Sequence, residues 1–190
     1  MAIDSARIEA AVAELLSAIG EDPARPGLLD TPRRVAEAYG EFFAGVGRNP
    51  ADHLRETLPT DGTGELVLLR NIEFRSICEH HLLPFTGVAH VAYVPGERIV
   101  GLGRLPRVVE TLAARPQLQE RLGEQVADAL AEGLEPRGVL VVLDAVHGCV
   151  SARGARQAKS STVTLASRGS LSEPAMRAAV VALIGRGSDD

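Results

Sequence analysis

Both cysteines of this chain sit beside histidines, in two short patches. The first reads Cys78-Glu79-His80-His81, and the second, about 70 residues later, reads His147-Gly148-Cys149. Thiolate and imidazole are preferred zinc ligands, and ligands drawn from two separate segments commonly build one site. Two thiols are too few for a closed four-cysteine site. A three-ligand site with one open position is the catalytic form, because the open position holds a water that the metal makes acidic. Two plainer readings compete. A disulfide between Cys78 and Cys149 is one, but a chain of 190 residues forms a core without covalent help. A pair of buried, inert thiols is the other, and it leaves the neighbouring imidazoles unexplained. Spacing alone does not choose the ligands. In an extended strand Cys78 and His80 share a face, as do His147 and Cys149. A turn after Glu79 brings Cys78 to His81 instead.

Cationic groups gather near this framework. Arg104 and Arg107 flank Pro106 at the start of a predicted helix, where free N–H groups and guanidinium side chains favour an anion such as phosphate. Arg153 and Arg156 follow Cys149 within seven residues, and Lys159 comes three later. No Walker loop or dinucleotide fingerprint accompanies them. Gln119-Glu120 opens another predicted helix. An acid there ordinarily serves the helix dipole, although a carboxylate also suits the paired N–H donors of a guanine edge. His53 and His90 lie away from both clusters and read as ordinary loop and strand residues.

These groups need positioning elements. Hydrophobic content of 45% and charged content of 24% are those of a globular chain, and aromatic content of 3% leaves the core to Val, Leu, Ile and Ala. A net charge of −5 argues against a general nucleic-acid coat. No apolar run is long enough to span a membrane and no secretory signal opens the chain, so a reducing cytoplasm is expected. Ile8, Val12, Leu15, Leu16 and Ile19 form one helical stripe, and Val35, Tyr39, Phe42, Phe43 and Val46 form a second after Thr31-Pro32. Residues 1–64 thus read as a helical arm and linker. Beyond them the pattern turns to strands at Leu66 to Glu79 and Phe85 to Val94. Two helices follow, from Pro106 and across Leu118 to Leu134. Strands then run over Val139 to Val150 and Ser160 to Ser167, before a closing helix from Pro174 to Ile184. Two strand pairs with helices between predict an α+β domain over 65–190, an antiparallel four-stranded sheet with helices on one face. Four strands leave two open edges, and pairing with other subunits would hide them.

The ordered motifs resemble the GTP cyclohydrolase I family over nearly the whole chain. They include Gly20-Glu21-Asp22-Pro23, Thr31-Pro32-Arg33-Arg34-Val35-Ala36 and the run from Cys78 through Pro84. His90-Val91-Ala92-Tyr93-Val94-Pro95, Arg115-Pro116-Gln117-Leu118-Gln119-Glu120-Arg121-Leu122, Asp144-Ala145-Val146-His147 with Cys149, and Ala152-Arg153-Gly154 complete the set. The resemblance implies the tunnelling fold (T-fold), with sheets joined into barrels, commonly in a decamer made of two pentamers. It implies active sites at subunit interfaces, with Zn2+ held by Cys78, His81 and Cys149. His80 and His147 are then left for proton transfer. Arg104, Arg107 and Arg153 fall among the contacts to the triphosphate, and Glu120, with Gln119 beside it, among those to the guanine.

The implied reaction is hydrolysis of the GTP imidazole ring at C8, release of formate and rearrangement to 7,8-dihydroneopterin triphosphate. His147 is expected to protonate the leaving nitrogen and His80 to move protons in the ribose steps. The chain departs from the family at Gly101-Leu102-Gly103-Arg104, where many members have Gly-Leu-Ser-Lys. Arginine keeps a phosphate contact with altered geometry, but glycine carries no hydroxyl. That departure defines the alternative, a same-fold paralogue that acts on another purine nucleotide or stops at a ring-opened intermediate. A non-catalytic zinc- or nucleotide-binding oligomer is the third reading, and it gives the two spare histidines no task.

Overall fold

A computed structural model describes residues 3–60 and 64–185. Asp4 accepts from the Arg7 N–H at 3.1 Å and caps helix α1 (Ser5–Ala18), supplying one of the partners that a helix start lacks. Helix α2 (Thr31–Phe42) carries Pro32 in its first turn and has Asp30 at the cap position. The pair packs mainly on itself. No residue of α1 is buried, and Leu15 and Ile19 stay exposed. The polar stretch after the arm is more ordered than its composition suggests. A 3-10 turn at Pro50–Leu54 buries Leu54 in the main core, and strand β1 (Thr57–Pro59) pairs with β4 (Arg98–Val100).

The main sheet contains β2 (Val67–Cys78), β3 (Pro84–Val94), β5 (Pro116–Gln117), β6 (Gly138–His147) and β7 (Thr162–Gly169), in the order β5-β2-β3-β6-β7. The four long strands are antiparallel, as expected. The expected four-stranded sheet gains a fifth strand, because the two residues of β5 add in parallel at the Cys78 end of β2. Two residues flanked by proline and a helix carry no readable alternation, so sequence pattern has nothing to detect. A register shift between Leu69 and Ile72 holds Asn71 in the left-handed region at φ 57°, a β-bulge.

Helices α3 (Arg104–Ala113) and α4 (Gln119–Leu134) cover one face of the sheet. Val108, Val109, Leu112, Leu122, Val126 and Leu130 meet the inward set Phe85, Ala89, Val91, Val139, Val141 and Leu143 there. The expectation of helices on one face only needs correction. Helix α6 (Pro174–Gly185) packs Val180 with Leu171 against Ala92, Leu140 and Val142, which alternate with the first set and so lie on the other face. The physical reason is that β3 and β6 are apolar on both faces over this stretch. No helix among the described residues is long and apolar enough to cross a membrane.

Candidate metal centre and active site

The Cys78 end of the sheet brings the two chemical patches together. β2 stops at Cys78 and the chain folds back at once. The Leu82 N–H donates to the Cys78 carbonyl at 2.9 Å, and the Cys78 N–H donates to Leu83 O at 2.9 Å. Leu82 closes the turn with a φ of 51°. This fold-back removes the Cys78 and His80 pairing that an extended strand would give. It brings His81 to Cys78 instead. The second patch is not one strand either. β6 ends at His147 and a helical turn, α5 (Gly148–Ser151), carries Cys149. The expected strand through Val150 is therefore shortened. A Cβ on Gly148 would stand 2.8 Å from the Pro84 carbonyl, so a residue without one lets the turn press against β3.

The Sγ atoms of Cys78 and Cys149 and a ring nitrogen of His81 all lie within 4.8 Å of one another. Both cysteines are free thiols, which removes the disulfide reading from this structure. A tetrahedral zinc with bonds of about 2.0–2.3 Å spaces its ligand atoms about 3.5 Å apart, so the three donors suit such an ion with slight convergence. Burial, followed by the neighbouring Cys78 thiol, pushes the Cys149 thiol above its ordinary range. Two adjacent thiols resist joint ionisation unless a cation lies between them. The donor set thus fits a soft divalent metal. Cys78 is buried, Cys149 is half-buried and His81 is exposed, which leaves one side of the cluster open.

His147 sits beside this cluster and is tightly held. Its ring stacks on Phe85 with centroids 4.7 Å apart and planes 4° from parallel, as expected for residues opposite each other in the β3–β6 register. Nε2 lies 2.7 Å from the Gln119 amide oxygen. Burial lowers the pKa of His147, and the Glu120 carboxylate opposes that shift. Glu120 is exposed in the first turn of α4. Gln119 is 1% exposed, and its amide N–H groups are directed at Leu143 O, Thr162 O and Thr164 Oγ1. His80 is exposed, with its ring 6.2 Å from that of His81, and is not among the clustered donors. Arg153 is exposed and close enough to Cys149 to oppose the rise in its pKa.

One pair that sequence reading passed over braces the ligand turn. Arg121 of α4 donates to both oxygens of Glu79, at 2.5 and 3.0 Å, and holds that carboxyl below its ordinary value. The only available signal was opposite charge on two residues 42 apart, which spacing alone does not link.

Arg104 and Arg107 stand elsewhere. Ala113, at the far end of α3, accepts from Ser76 of β2 at 2.7 Å. Arg104 begins the helix, roughly 14 Å further along at 1.5 Å per residue. Arg104 and Arg107 line a small concavity with Gly101, Leu102 and Gly103. Arg107 also borders a groove of about 1030 Å³ between the arm, β2, β3 and α3. Neither lining includes Cys78, His81, Cys149, His147 or Glu120. Arg104 and Arg107 thus line concavities other than the Cys78, His81 and Cys149 cluster.

Residues 8–185 match the family model described as GTP cyclohydrolase I. The chain is 65% identical over 186 residues to GTP cyclohydrolase 1 of Leifsonia xyli subsp. xyli, covering 97% of each. It is 53% identical over 188 residues to the enzyme of that name from Carboxydothermus hydrogenoformans, covering 98% of this chain and 97% of the other. Against GTP cyclohydrolase 1 of Rhodopirellula baltica the identity is 51% over 185 residues, covering 97% and 80%. A crystal structure of archaeosine synthase QueF-Like in the apo form covers 56% of this chain and 96% of its own at 15% identity and a TM-score of 0.44, a likeness too slight to argue from.

Proposed function

The chain belongs to the GTP cyclohydrolase I family, and on that premise we propose that it hydrolyses the imidazole ring of GTP at C8, releases formate and forms 7,8-dihydroneopterin triphosphate. The observation that carries this reading is the convergence of Cys78, His81 and Cys149 beside a firmly held His147. Zinc bound by those three donors supplies a Lewis acid that makes water a competent nucleophile near neutral pH.

The chain's own residues do the remaining work. Glu120 accepts the paired N–H groups of the guanine edge and so sets the base in place. Arg104, Arg107 and Arg153 hold the triphosphate, which does not react, and thereby fix C8 relative to the metal centre. His147 gives a proton to the nitrogen released as the C8–N bond breaks. His80, at the open side, moves protons in the ribose steps.

The separation of Arg104 and Arg107 from the Cys78, His81 and Cys149 cluster supports an oligomer in which those two arginines of one subunit complete the metal half of a neighbour. Val163 and Leu165 of edge strand β7 are about half exposed, at 54% and 48%, and supply apolar surface where another sheet could join. A ring built this way would be the T-fold barrel, with two such rings in a decamer and residues 1–64 as a helical arm and linker. The free thiols suit a reducing cytoplasm.

The test is to incubate the zinc-loaded oligomer with GTP and measure formate and fluorescent pterin together. Absence of both products overturns the reading. A second reading, arrest at a ring-opened intermediate, is favoured by Gly103 alone. A Cβ at Gly103 meets nothing within 4 Å, so Gly103→Ser fits without displacement. If wild-type protein gives formate without pterin and Gly103→Ser restores pterin, the second reading stands.

A further inference from the structure

Gln119 occupies an unusual place for a residue counted among substrate contacts. It is 1% exposed, and each end of its amide already has partners. Nε2 donates to Thr162 O at 2.8 Å, Leu143 O at 3.1 Å and Thr164 Oγ1 at 3.2 Å. Two of those partners are backbone carbonyls, which only accept. The amide nitrogen must therefore face β6 and β7, and the amide oxygen must face His147. An amide oxygen only accepts as well. The His147 Nε2, 2.7 Å away, therefore carries a hydrogen. Phe85, stacked 4° from parallel, holds the ring plane.

We propose that Gln119 is a positioning residue that fixes the ring of His147, its amide oxygen keeping a hydrogen on Nε2. The inference rests on the cyclohydrolase reading for its substrate and deepens it. Gln119 itself touches neither GTP nor metal. It transmits the fixed positions of Leu143, Thr162 and Thr164 to the imidazole.

The test combines a spectrum with kinetics. In zinc-loaded wild-type protein labelled with 15N-histidine, long-range 1H–15N correlations of His147, identified by their loss in His147→Ala, should show the neutral ring protonated at Nε2 and bare at Nδ1. A neutral ring protonated at Nδ1 overturns the proposal, and this measurement requires no Gln119 variant to fold. Gln119→Met keeps side-chain length and removes the acceptor. It should mix the two neutral forms and lower kcat by about tenfold to a hundredfold, below or within the usual range for general acid–base catalysis, with KM for GTP within about threefold. A raised KM with kcat retained makes Gln119 a substrate contact and overturns the proposal, as does an unchanged His147 spectrum in Gln119→Met. Wild-type protein that releases no formate from GTP overturns the cyclohydrolase reading instead, while the spectrum still decides the ring-nitrogen assignment.

Discussion

Cys78, His147 and Gln119 are held by bonds inside one chain, whereas Arg104 and Arg107 border a different concavity and face solvent or an acid. The first group lies where β2, β3, β6 and α4 end together, and its partners are backbone carbonyls, a stacked ring and a buried amide. The second lies at the start of α3, with Arg107 exposed and Arg104 paired to Glu56. The contrast has a chemical logic. Atoms that take part in bond making need fixed positions, and burial with complete hydrogen bonding supplies them. The anchor proposed for the triphosphate needs charge and reach, and long cationic side chains supply both without a rigid setting.

The widest separation between the halves should appear on removing a metal donor. Cys149→Ala should abolish stoichiometric zinc and, with it, turnover, exceeding the roughly 10–100-fold loss that removal of an outer-shell partner brings. Metal analysis beside the formate assay checks this. Retained metal with full turnover would break the assignment of the first half. His147→Ala should come next, lowering kcat by about two orders of magnitude or more while zinc and assembly survive. Equal loss of metal would mean that His147 is a ligand and not a proton carrier.

Arg107→Ala should act on the other half. Loss of a charge-assisted contact, worth about 1.5–3 kcal/mol, raises KM for GTP by about tenfold or more with kcat nearly kept. Mixed oligomers sharpen the contrast. If a site takes its metal half from one subunit and its arginines from another, subunits bearing His147→Ala and subunits bearing Arg107→Ala should recover activity when co-assembled. No recovery would place both halves in one chain and end the interface reading.

The same contrast governs what the sequence revealed. The long elements were readable because each carries a repeating apolar pattern. Cys78, Cys149 and the histidines were readable as residue types, but their pairing was not. Whether His80 or His81 turns toward Cys78 depends on the fold-back closed by Leu82, a residue whose type does not announce a left-handed φ. The resemblance implied the set Cys78, His81 and Cys149, and the turn brings these donors within 4.8 Å of one another. Gln119 was visible only as a polar residue at a helix start. Its orientation depends on carbonyls of Leu143 and Thr162, which are near only after β6 and β7 pair. The closing helix was expected as an element, but its place on the opposite face depends on the two-sided apolar character of β3 and β6.

The smallest predicted effect concerns Glu56. Its carboxylate accepts from Arg104, its side chain is 79% exposed and it comes from the segment just before β1. An incoming triphosphate would compete with that carboxylate for the same guanidinium. Glu56→Gln removes the competing charge and should lower KM for GTP without changing kcat. The limit follows from exposure, since such surface pairs are worth at most about 1 kcal/mol, or about fivefold in affinity. Added salt should shrink the difference between the variant and wild type, because the pair is open to screening. A rise in KM would instead mean that Glu56 holds Arg104 ready for the phosphate. The arginine half would then be pre-positioned as well, and the contrast with the metal half would narrow to one of burial alone.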